Sequence, residues 1–196
     1  MLEHWSNVCK TFKALTYLVR ETGEAKIDLH FTISRRCEKK ARKSKDLLPI
    51  VQAMEDEIRS KDSTTDINFR LNEILEDYKR NLDNNHWWRS KPKPLSLFVL
   101  TDGIWEDEVT ASEPIKNAVA KLEDLRKDKR QIGIQFISFG NDPEGLQRLE
   151  HLDDRLNISK WVSTISISKD VLTFTTETLL TLSHTIVMFG KCCWAQ

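Results

Sequence analysis

Apolar positions recur along this chain in two rhythms. Trp5, Val8, Phe12, Leu15 and Val19 are spaced by three and four, which forms one stripe on a helix over residues 3–20. Thr22 and Gly23 stop it. The rhythm then changes to two. In KIDLHFTI, residues 26–33, Ile27, Leu29, Phe31 and Ile33 share one face, while Asp28, His30 and Thr32 share the other. That is the pattern of a half-buried strand, and it puts His30 at an edge or surface rather than in a ligand role. The helical rhythm returns twice. Asp46 is positioned to cap a helix to about Ser60, with Leu47, Ile50, Val51, Met54 and Ile58 as its stripe. A second helix runs from Asp66 to about Leu82, with Ile67, Leu71, Ile74, Leu75 and Tyr78 inward.

The next apolar stretch has no polar alternation. Leu95 to Asp107 reads LSLFVLTDGIWED, and only Ser96 interrupts the apolar or β-branched run to Thr101. A short run of this kind, closed by a turn signal, predicts a strand buried on both faces. Pro92 and Pro94 prevent a regular element from entering it. A helix is expected from Pro114 to about Lys129, with Ile115, Ala118, Val119, Leu122 and Leu125 inward and the proline in its first turn. QIGIQFISF, residues 131–139, is the next strand, and Asn141-Asp142-Pro143 opens a short helix to about Leu152. WVSTISIS, residues 161–168, fits one more strand. Strands alternating with helices predict an α/β fold with a doubly wound, mostly parallel sheet. Beyond Leu156 the pattern weakens. Residues 171–189 are apolar with six threonines, Glu177 and His184, and read as a marginal final helix or a tail rather than a membrane span.

The polar segments add little chemistry. Residues 34–45 hold seven lysines and arginines against Glu38. No aromatic residue interleaves them to stack bases, so a solvated loop is expected. Over the whole chain 30 basic residues balance 30 acidic ones, so no global field favours nucleic acid or an anionic membrane. Trp87 and Trp88 are expected to plug one side of the sheet, and Glu106, Asp107 and Glu108 to form a solvated face. Cys9, Cys37, Cys192 and Cys193 show neither C-x-x-C nor zinc spacing. Reduced cysteines and the lack of an apolar leader segment in the first 30 residues give a cytoplasmic expectation.

Catalytic signatures are missing: G-x-x-x-x-G-K-[ST], G-x-G-x-x-G and G-x-S-x-G do not occur, and the five histidines are scattered. One constellation remains. KDSTTD, residues 61–66, brings Thr64 and Thr65, and Asp102 stands at a strand's carboxyl end, where α/β sheets place ligands. Hydroxyls and a carboxylate are the donors that a hard cation such as Mg²⁺ takes.

Several pieces, in their order, resemble the von Willebrand factor A domain. LSLFVLTDGIWED (95–107) is similar to that family's apolar strand ending in T-D-G. STTDINFRLNEILEDY (63–78) is similar to its threonine loop and following helix, and RQIGIQFISFGNDPEGLQRLEHLDD (130–154) to its next strand and helix. WSNVCKTFKALTYLVRETGEAKIDLHFT (5–32) resembles its first helix and second strand. The resemblance covers roughly residues 5–155. It implies a Rossmann-like sheet with a metal-ion-dependent adhesion site on its upper face, built from Asp-x-Ser-x-Ser, a threonine and the T-D-G aspartate. Asp102 takes the last role, and Thr65, with Thr64 second, takes the threonine role. The family binds protein partners, commonly through a partner carboxylate on Mg²⁺, and is usually not catalytic.

The chain departs from that pattern at its start. No Asp-x-Ser-x-Ser occurs, and residues 1–4 lead straight into the first helix. The family's first strand lies at the sheet's centre, between the strands expected here at 26–33 and 95–101. The expectation is a sheet missing its first central strand, whose two flanking edges pair with each other, pair with another chain, or stay exposed. Residues 1–156 are expected to form a partial domain of this kind, with 157–196 as a divergent segment. The expected function is a non-enzymatic protein-interaction module with an incomplete Mg²⁺ site, binding neither nucleic acid nor membrane. The alternatives are a phosphate-handling α/β enzyme on the same sheet face and a nucleic-acid binder using residues 35–45.

Overall fold

A computed structural model describes residues 2–21, 27–32, 37–41, 44–60, 66–83, 93–105, 111–127, 131–152, 162–167 and 183–188. A 3₁₀ turn at Leu2–His4 leads into α1, Trp5–Glu21. Next come β1 (Ile27–Phe31), β2 (Cys37–Ala41), α2 (Ser44–Ser60) and α3 (Ile67–Asp83). They are followed by β3 (Leu95–Thr101), α4 (Ser112–Asp124), β4 (Ile132–Phe139) and α5 (Pro143–Glu150). β5 (Val162–Ile167) and β6 (Ser183–Met188) complete one six-stranded sheet. The chain is therefore α/β, and among the described residues no helix is long and apolar enough to cross a membrane.

The strand order is β2-β1-β6-β3-β4-β5. Every neighbouring pair is parallel except β1 with β2. Both sheet faces are covered. On one, Leu95, Leu97 and Val99 of β3 and Ile132, Ile134 and Phe136 of β4 form a cluster with the stripes of α3 and α4. On the other, Phe98, Leu100, Ile137, Phe139 and the odd positions of β1 form a cluster with Phe12 and Leu15 of α1 and Val51 and Met54 of α2. All seven residues of β3 are consequently buried, as an apolar run broken only by Ser96 predicts. At the amino end of the sheet, the Tyr78 hydroxyl lies 3.1 Å from Lys93 O and 3.0 Å from Gln131 O, its acceptors, and takes a bond from Gln131 Nε2 at 2.6 Å. This one phenol ties α3 to the entries of β3 and β4.

Several expectations are corrected. Residues 183–188 are a strand, neither helix nor tail, and they occupy the slot between β1 and β3. The two edges expected to meet, to stay exposed or to wait for another chain are filled from this chain's own sequence. The basic stretch is not wholly a loop, because residues 37–41 pair antiparallel with β1 as an edge strand. β1 therefore lies between β2 and β6, and His30 is buried at 5% exposure rather than at an edge. Leu125 does not extend the stripe of α4 and is exposed. That helix ends at Asp124, where Arg126 turns left-handed at φ 50°. Arg126 N then donates to Glu123 O and Lys127 N to Leu122 O, which closes the last carbonyls in a Schellman turn. α2 begins at Ser44 rather than after Asp46, so Pro49 falls inside the helix and not in its first turn. The readings of residues 61–65, Trp87 and Trp88, Glu106 to Glu108, and Cys192 and Cys193 lie outside the described residues.

Candidate functional site

The carboxyl ends of β1, β6 and β3 finish side by side. Met188 stands in register with both Phe31 and Leu100, and Asp102 follows one residue after β3 ends. α4 and α5, which follow the parallel strands β3 and β4, bring their amino ends to this rim, because a parallel crossover returns the chain that way.

Three helix starts are fixed there by named contacts. Arg70, in the first turn of α3, donates from Nε to Phe31 O at 3.0 Å and pairs with Glu73. Its side chain is nearly buried, so the guanidinium caps the exit of β1. Asp66 caps α3 by accepting from Phe69 N at 2.8 Å, and the Phe69 ring stands 56% exposed. α5 is capped by Asp142, which accepts from Gly145 N at 2.9 Å. At the start of α1, the His4 ring lies against Gly140 at the exit of β4, 2.9 Å from where a methyl group on that glycine would stand.

The Thr101-Asp102-Gly103 turn is held from both sides. Thr101 Oγ1 accepts from Gly103 N at 3.0 Å, and Asp102 Oδ1 accepts from Ile104 N at 3.3 Å. These are the local side-chain bonds by which hydroxyl and carboxylate residues set turns. Gly103 is at φ +76°, a region that favours glycine, and its backbone packs directly on that of Gly145 in α5. Arg148, one turn further along α5, donates to Trp105 O, pairs with Glu144, and lies 5.8 Å from the centroid of the Trp105 ring. Trp105 is itself buried. Asp102 therefore sits in a turn braced by α5 and is buried, at 6% exposure.

Of the residues read from sequence, the structure places Asp102 at the rim as expected, whereas Thr64 and Thr65 lie outside the described residues. Among the described residues, no three of His, Cys, Asp and Glu come together. Mg²⁺ requires about six oxygens in a near-octahedral shell. Asp102 offers one carboxylate, and one of its oxygens already accepts from Ile104 N. The described donors do not make that shell. Cys9 is no better a reactive centre. Burial, and then the charge of Glu55, push its thiol above the ordinary range, which disfavours the thiolate.

The sequence reading missed Arg70 and Phe69, although both left a signal. Arg70 sits within the apolar stripe of α3, between Ile67 and Ile74, where a cation must find a buried partner. Phe69 is a large apolar residue off that stripe, and so it faces water. No family model, curated protein or solved structure matches this chain.

Proposed function

We propose that this chain is a von Willebrand factor A-like protein-interaction module, non-enzymatic and cytoplasmic, that meets its partner at the carboxyl rim of the sheet. The observation that carries this reading is the turn at Asp102. It is a T-D-G sequence at the exit of a fully buried parallel strand, braced by its own side-chain bonds and by α5. The strand order supports the same reading. The family's first strand lies between the strands equivalent to β1 and β3, and β6 occupies that slot here. The sheet is then Rossmann-like, with its central strand supplied from residues 183–188.

In this reading the metal site is incomplete, since Asp-x-Ser-x-Ser has no counterpart in the sequence. Recognition falls instead on the exposed Phe69, which provides an apolar anchor above the rim, and on the acceptors around Asp102. Affinity capture with wild type, Phe69→Ala and Asp102→Ala tests it. A defined set of proteins retained by wild type and lost by Phe69→Ala, with unchanged melting temperature, is expected. Identical sets from all three chains would overturn it. Turnover of a phosphoester that is lost in Asp102→Asn would transfer the reading to a phosphate-handling enzyme. Calorimetric titration with Mg²⁺ is expected to give weak heats or none, and any heat is expected to be lost in Asp102→Ala. Equal heats from both chains would remove Asp102 from any metal role.

A further inference from the structure

The sheet has two parts that share no strand pair of their own. β2 and β1 form one, and β3, β4 and β5 form the other. Among the described residues, only β6 joins them, pairing with β1 from His184 to Met188 and with β3 from Ser183 to Met188. We propose that the slot between β1 and β3 is a strand-acceptor site, and that a second copy of this chain can supply β6 to it, giving a strand-exchanged dimer.

Three observations carry this. First, β6 is held by main-chain pairing along both edges, and such pairing is the same whether the strand comes from its own chain or from another. Second, β6 follows β5, which lies at the far edge of the sheet with β4 and β3 in between. The return from the end of β5 to the start of β6 spans three strand spacings, about 14 Å, and one strand length, about 20 Å. Residues 168–182 separate the two strands in sequence, and a segment of that length reaches up to roughly 50 Å when extended. Its length therefore suffices for the slot of its own sheet and for that of an adjoining copy. Third, SHTIVM carries no formal charge with neutral His184, and three of its residues are β-branched. Left unpaired, it would expose apolar strand to water, so whichever slot is open takes it.

Exchange would also change the rim. Met188 ends β6 in register with Leu100, beside the turn at Asp102. In the exchanged dimer, one copy supplies Asp102 and Arg70 while the other supplies whatever follows Met188.

The test uses full-length chains with Cys9, Cys37, Cys192 and Cys193 changed to Ser. Ser96 and His184 are register partners on β3 and β6. Neighbouring strands run about 4.8 Å apart, close enough for a disulfide. A Ser96→Cys chain and a His184→Cys chain are refolded together and oxidised. A disulfide-linked heterodimer whose share rises with protein concentration is expected. The doubly substituted chain, oxidised when dilute, is expected to close within one molecule. Closure within the double variant without any cross-chain bond in the mixture would overturn the proposal, and so would failure of both. Asp28→Cys with Thr185→Cys repeats the test on the β1 edge, in case the buried Ser96 does not tolerate replacement. Neither result depends on partner capture at the rim, so failure here and failure of the interaction reading are separate outcomes.

Discussion

Gly103 and Gly145 meet backbone to backbone, with no room for a side chain on either. A methyl group on Gly103 would stand 2.5 Å from Gly145 O, and one on Gly145 would stand 2.4 Å from Asp102 O. Both contacts are with main chain, which cannot swing aside. Gly145→Ala is expected to destabilise the fold by about 1–3 kcal/mol through overpacking alone. Gly103→Ala adds left-handed strain of about 1–2 kcal/mol and is expected to cost more. Urea unfolding of the two variants checks the order. Equal stability of Gly103→Ala and wild type would show that α5 does not pack on this turn.

Arg70 and Phe69 are neighbours with opposite roles. Removing the Arg70 guanidinium leaves the carbonyl at the exit of β1 without a charged donor, at an expected cost of about 1.5–3 kcal/mol for Arg70→Ala. Phe69→Ala changes an exposed ring and should alter stability by less than about 0.5 kcal/mol while weakening partner capture. Thermal melts of the two variants, side by side, separate the roles.

Tyr78 makes stability depend on pH on the alkaline side. Burial pushes its phenol above the ordinary range, against the opposing hydrogen bonds from Gln131 and the Leu95 backbone. The folded chain then keeps a proton that the unfolded chain releases at about pH 10. The contribution is full below that pH and is lost as pH rises through the higher folded value. Tyr78→Phe should cost about 1–2 kcal/mol at neutral pH and flatten the fall in melting temperature above about pH 10.

Pro49 lies inside α2, where it removes one backbone donor and its ring crowds the preceding turn. It is exposed, so no core contact offsets that cost. Pro49→Ala should stabilise the protein by about 1–3 kcal/mol, read as a higher denaturant midpoint with an unchanged slope. A loss of stability would mean that the helix needs the proline's bend.

Where local pattern decides the structure, the chain is legible. β3 is an apolar run, broken only by Ser96, between prolines and a T-D-G turn, and its bounds match the sequence reading. α3 follows the stripe read from its sequence. Elements whose identity depends on distant partners were harder to read. The alternation around His30 suggests one wet face, but strands on both sides and helices over both faces bury it. SHTIVM lies within a threonine-rich stretch that has no turn signal at its start, and only the vacancy between β1 and β3 makes it a central strand. The end of α4 uses Arg126 where glycine is the usual signal. At the rim, Asp102 is legible from its turn, while Arg70 and Phe69 are legible only as departures from the stripe of α3, a cation on it and a ring off it.

The place of β6 also sets a timetable for synthesis. Met188 is 87 residues later in the sequence than Thr101. At 5–20 residues per second a ribosome needs roughly 4–17 s to cover that distance. Throughout that interval β1 and β3 lack the strand that separates them in the finished sheet. During that interval chaperones would have their greatest claim on this chain, and two chains made on the same message would be closest to one another.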